Sequence, residues 1–233
     1  MKNKNFILQP VESILEEMQL STARLSADFN TLPVYNYILQ AVLLKMTGFM
    51  EQKMKLIFWE MATNSPEIRW ELFKNKHTEF SSYKNKNLVF TSLYQEVKRK
   101  MGENQITLNY PQHVKDTKEL ISQLFEESLI KDFSARDFFF WQEFITELSK
   151  KEYIPSNSNF LPNHVQNIYE RTIRFRHTIA HNTKAPLVIT AELKSLQEKE
   201  YKYENYFVRF SVIILVDKIF IELFKQYLEY YEE

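Results

Sequence analysis

Residues Asn163–Asn182, NHVQNIYERTIRFRHTIAHN, decide how this chain folds and where its chemistry lies. Ile168, Thr172, Phe175 and Ile179 recur at three- and four-residue spacing, the period of one helix face, which should point into a core. Lys184-Ala185-Pro186 closes the stretch, because proline cannot continue a helix. Glu170, Arg174, His177 and His181 project together on the opposite side. Arg176 lies on the flank, in a stripe with Tyr169, Ile173 and Ala180. An amphipathic helix in a monomer needs only a core face and a wet face. The additional stripe is therefore a candidate subunit contact.

Outward from this helix, the same period predicts others. They cover about Val11–Phe29, Val34–Ala62, a short segment to Lys74, Leu88–Met101, Val114–Leu129, Ser134–Lys150 and Tyr203–Tyr231. Asn64-Ser65-Pro66-Glu67 restarts a helix with a polar cap and a first-turn proline. Ser134-Ala135-Arg136-Asp137 has the spacing of a capping box. His77–Asn87 and Gly102–Pro111 read as loops, Lys151–Pro162 as a linker, and Leu187-Val188-Ile189 as a short extended piece. The expected fold is an all-α helical bundle with a long apolar C-terminal helix, deep in the bundle or in a dimer interface. The organisation read from this is a single domain over 1–233, with a division into 1–110 and 111–233 as the alternative.

Composition supports the class. The chain has only two glycines in 233 residues, where average usage near 7% would supply many more, and sheets and hairpin turns lean on glycine. Phosphate-cradling loops need clustered glycines, so no dinucleotide or P-loop fingerprint exists. Without cysteine there is no disulfide framework and no thiolate metal site. Thirty basic and thirty acidic residues cancel, so any nucleic-acid binding must rest on a local patch. The start of the chain is polar, and the stretch Phe210–Phe224 is broken by Asp217, Lys218 and Glu222. These features predict no signal peptide, no membrane span and a cytoplasmic protein.

Arg176-His177-Thr178-Ile179-Ala180-His181 holds two of the chain's five histidines. Cleavage of RNA by its own 2′-hydroxyl requires a base for that proton and an acid for the departing 5′-oxygen, and imidazole serves either role near neutrality. A guanidinium supplies forked donors to the phosphoryl oxygens as charge builds there. No metal and no cofactor is needed. One imidazole cannot serve both sides of the phosphate in one step, so a second comes from His177 or from another subunit. His177 and His181 also have the i,i+4 spacing of a helical zinc pair. Thr178, however, stands where a metalloprotease has its glutamate, and no third ligand is near in sequence. His77, His113 and His164 read as surface histidines.

Arg176-His177-x-x-x-His181 resembles the signature of the HEPN superfamily, an arginine and a polar residue followed by a histidine. Ala180 before the histidine and Asn182 after it are similar too. The resemblance covers about one helix directly. It implies an all-helical fold and a metal-independent endoribonuclease, a toxin or antiphage-defence effector, that leaves a 2′,3′-cyclic phosphate. It also implies a homodimer in which two motifs face each other across a cleft, with RNA as substrate and an antitoxin or regulator as partner. Arg176 and His181 would then be catalytic, with His177 at the polar position. Arg174, Arg171, Asn182 and Lys184 would contact RNA. Arg174 also fits the longer spacing to His181, but Phe175 follows it where the family has a polar residue, so the resemblance favours Arg176, with Arg174 as the alternative. An acidic residue on an earlier helix is common in the family, and Glu51 is the candidate. The alternative is a non-catalytic helical module that binds RNA or a protein through the same ridge.

Overall fold

The computed structural model describes residues 3–22, 32–75, 80–102, 106–126, 130–150, 153–156, 159–181 and 203–230. Among these residues there are nine α-helices and no β-strand. In chain order they are α1 (Lys4–Leu8), α2 (Ser13–Thr22), α3 (Leu32–Asn64), α4 (Pro66–Asn75), α5 (Tyr83–Met101), α6 (Tyr110–Glu126), α7 (Ile130–Lys150), α8 (Asn163–His181) and α9 (Tyr206–Glu229). Buried apolar side chains form one cluster, drawn from Ile7 at one end to Leu228 at the other.

Local chemistry explains the element ends. Ser65 Oγ accepts from the Ile68 N–H at 3.5 Å, so the Ser-Pro pair opens α4 as its sequence indicates. Ser82 caps α5 by accepting from the Asn85 N–H at 3.3 Å. At the other end, the Gly102 N–H donates to the Lys98 carbonyl at 2.9 Å with φ of 83°, a conformation that favours glycine. Lys98, Arg99 and Lys100 in that last turn complement the carbonyl end of the helix dipole.

Three sequence readings are corrected. The supposed loop His77–Asn87 already becomes helix at Tyr83; the polar letters there conceal buried Tyr83 and Lys86. A short helix that the reading lacks, α1, precedes Pro10, and the expected first helix opens at Ser13 as α2; positions beyond Thr22 lie outside the described residues. The capping-box spacing at Ser134 marks a kink inside α7 rather than its start, with Ser134 at φ −126° and ψ 21°. The piece Leu187–Ile189 also lies outside the described residues.

The centre of the bundle is α9, which packs against α1, α3, α5, α6, α7 and α8 and is buried over most of its length. It is not uniformly apolar. Arg209, Ser211, Asp217 and Gln226 are buried on it, and each has a specific neighbour. Trp141 donates to Ser211 Oγ at 2.7 Å, and Gln226 exchanges hydrogen bonds with the Thr107 backbone at 3.3 and 2.5 Å. Asp217 forms an ion pair with Lys53 and accepts from the Val11 N–H at 2.7 Å. Lys53 also donates to the Gln9 carbonyl at 2.7 Å, so this pair pins the α1–α2 junction to α3 and α9. Burial pushes the Lys53 ammonium down and the Asp217 carboxyl up, while their mutual attraction opposes both shifts. Among the described residues, no helix is long and apolar enough to cross a membrane.

Candidate active site

The site is built on the second half of α8. This helix begins after Pro162, whose carbonyl accepts from the Gln166 N–H at 3.0 Å, and it packs against α3, α5 and α9. Its buried residues are Val165, Tyr169, Thr172 and Ile173, with Ile168, Phe175 and Ile179 partly buried beside them. The buried arc is thus wider than one helical face. It takes in Tyr169 and Ile173, which the sequence placed in a stripe facing a second subunit. Tyr169 is 2% exposed, and its hydroxyl donates to the Ser81 carbonyl at 2.9 Å. The stripe faces α3 and α5 of the same chain because α8 is wedged between neighbours on two sides, and only Ala180 of the four is exposed.

Arg176, at the edge of this arc, turns towards α3. Its Nη2 lies 3.8 Å from Glu51 Oε2 and its Nη1 lies 3.5 Å from His177 Nδ1. Arg176 Nε is buried with no hydrogen-bond partner among the described residues. Glu51 also pairs with Lys55 one turn along α3, at 2.9 Å. Glu51, nominated only through the family resemblance, is the carboxylate beside the arginine.

Lys86 of α5 lies beneath this pair and is fully buried. Its Nζ donates to the Phe80 carbonyl at 2.5 Å and sits 5.7 Å from the centroid of the Tyr169 ring. Burial pulls the Lys86 ammonium down to about 7; the Glu51 charge opposes that shift and the Arg176 charge adds to it. Tyr169 is pushed well above the ordinary phenol range by burial, with Glu51 adding to the shift and Arg176 opposing it. Sequence reasoning missed Lys86, since a lysine in a polar stretch carries no signal of burial.

Outside this buried layer, His177 and His181 stack one turn apart, with ring centroids separated by 6.2 Å and planes inclined by 8°. His177 is half-buried, while His181 and Arg174 are exposed. Arg171 does not join this ridge. It faces Glu204 at 3.6 Å, on the side of α8 that meets the start of α9. Asn182 and Lys184 lie outside the described residues, as does His77. His113 is not a surface residue: its Nε2 is 2.8 Å from Glu222, and its side chain is 12% exposed. His164 lines a cavity near Arg171. No group of three metal-ligating side chains occurs among the described residues.

The arrangement offers one exposed and one half-buried imidazole and a guanidinium beside a carboxylate, at the rim of the core. It is suited to an anionic group approaching the end of α8. No family model, curated protein or solved structure matches the chain.

Proposed function

We propose that this protein is a metal-independent endoribonuclease of the HEPN type, acting as a toxin or antiphage-defence effector. The observation that carries the reading is the contact of Arg176 with both Glu51 and His177, at the foot of the His177–His181 stack. Glu51 fixes the guanidinium fork so that its outer donors meet phosphoryl oxygens as negative charge builds. An imidazole then removes the 2′-hydroxyl proton, and a second protonates the 5′-oxygen as the P–O bond breaks. The products are a 2′,3′-cyclic phosphate and a 5′-hydroxyl. His177 and His181 share one ridge of one helix, whereas in-line displacement needs base and acid on opposite sides of the phosphorus. The reading therefore calls for two copies of α8 across a cleft, in a homodimer held in check by an antitoxin or another regulator.

The test is purified protein incubated with single-stranded and structured RNA in EDTA. Cleavage to cyclic-phosphate ends that disappears in His181→Ala and in Arg176→Ala supports the reading. Cleavage abolished by EDTA, or unchanged in His181→Ala, overturns it. Salt-sensitive RNA binding without products favours the non-catalytic module instead.

A further inference from the structure

One flank of α3 leads away from the histidine helix. Glu51, Lys55 and Trp59 follow one another at four-residue spacing, a strip that turns only about 40° per step round the helix. Exposure rises along it. The Glu51 side chain beside Arg176 is 18% exposed, that of Lys55 is 40% exposed, and Trp59 is 61% exposed. Trp59 thus stands about 12 Å along the axis from the carboxylate that meets the arginine. Tryptophan ordinarily hides most of its large surface, as Trp141 does at 0% exposure. A lone apolar residue on a surface needs no explanation, but the setting of this one is specific. From Lys45 to Thr63 the exposed positions of α3 are Lys45, Gln52, Trp59 and Thr63, so the flank presents cations and no outward carboxylate. Gly48 lies on the same flank, one turn before Gln52. Glycine weakens a helix interior relative to alanine, yet a Cβ on Gly48 would meet nothing within 4 Å. Packing among the described residues does not call for that glycine, whereas the close approach of a backbone from outside does.

We propose that this flank is the track on which the RNA strand lies beside the cleavage site, with an unpaired base stacked on Trp59. The inference rests on the nuclease reading above and adds the form of the substrate. From the phosphate at Arg176, the strand passes Lys55 on its way to Trp59, and on the other side its backbone crosses the bare helix surface at Gly48. An indole face accepts any base, because every base has a π-face, so the contact selects single strands without selecting a sequence. A base inside a duplex has no face to offer. The charge of the flank favours a polyanion carrying flat rings over an apolar protein surface, which would leave the lysines facing nothing.

The test titrates the full chain with a single-stranded 2′-O-methyl RNA, which lacks the attacking hydroxyl and so stays whole, and with the same strand annealed to its complement. The single strand should quench tryptophan fluorescence in the wild type. Trp59→Ala should weaken its binding by at least about tenfold, the scale of one stacked base, and Trp59→Phe should keep most of it. Trp70→Ala, at an exposed tryptophan of α4 away from the strip, should bind as the wild type does. Four results would overturn the proposal: wild-type binding in Trp59→Ala, a duplex as sensitive to Trp59 as the single strand, an equal loss in Trp70→Ala, or a dimer that Trp59→Ala splits into monomers by light scattering, which would make Trp59 a subunit contact. Cleavage of unmodified RNA in EDTA, followed in parallel, separates this inference from the one beneath it. A chain that binds through Trp59 but does not cut removes the nuclease reading and keeps the track. One that cuts single strands equally well as Trp59→Ala keeps the reading and removes the track.

Discussion

Replacing Lys86 with methionine should make the difference in stability between variant and wild type depend steeply on pH. In the folded protein the amine is fully buried and titrates at about 7, against 10.5 for the free group. Above 10.5 neither state is charged, and burial of the amine carries no ionisation penalty. As pH falls below that value the unfolded chain takes up the proton first, so the folded state loses ground until about pH 7, where the penalty is complete. Between pH 9.5 and pH 7 the wild type should therefore lose about 3 kcal/mol that the methionine variant does not, given about 1.4 kcal/mol per pKa unit. Tyr169, the titratable neighbour across the ring contact, is present in both proteins and cancels. Urea denaturation of both at several pH values reads the difference directly. The offset at any one pH also contains the loss of the bond to the Phe80 carbonyl, so only the slope is diagnostic. A difference constant to within about 1 kcal/mol across this range would show that Lys86 stays protonated in the fold, and the electrostatic picture beneath Arg176 would be wrong.

Other perturbations probe separate parts of the argument. Lys53→Met alone should destabilise by roughly 3–5 kcal/mol, because it strands Asp217 in the core; adding Asp217→Leu should recover most of that, as a double-mutant denaturation cycle would reveal. Gly102→Ala should cost about 1–3 kcal/mol in thermal or chemical unfolding, from backbone conformation alone, since an added Cβ meets nothing within 4 Å. Glu51→Gln should leave the fold intact but lower RNA cleavage by about tenfold or more through a looser Arg176, with added salt failing to restore it; full activity would remove Glu51 from the site.

What was legible in the sequence divides along a physical line. Helical period, a proline in the first turn of α4 and the scarcity of glycine are local signals, and they located most of the helices. Projection of residues 163–181 also separated the outward ridge of Arg174, His177 and His181 from the inward face, because that depends on one helix alone. It could not tell how wide the buried arc was, since that depends on what stands on either side. Tyr169 and Ile173 were consequently read as a contact surface when α3 and α5 cover them. Lys53, Lys86, Arg209 and Asp217 were equally hidden, because a charged letter gives no sign of burial until its partner is known.

On the proposed function, these buried charges bear on how the histidine ridge would act. Arg176 is flanked by Glu51 and influenced by Lys86, each from a different helix, so its position is set by the packing of α3 and α5 against α8 rather than by the motif itself. A short motif on an isolated helix would leave the guanidinium free to sample many rotamers, with about 2 kcal/mol of side-chain entropy to lose on meeting a phosphate. Holding it against a carboxylate in a closely packed layer removes much of that freedom beforehand. It follows that substitutions in α3 or α5 that loosen this layer without touching α8, such as Tyr169-facing changes at Lys86, should weaken the function of the ridge even when both histidines are intact. Lys86→Met supplies that comparison. If its RNA cleavage matched the wild type at a pH where the two are equally stable, the buried layer would have no part in positioning Arg176.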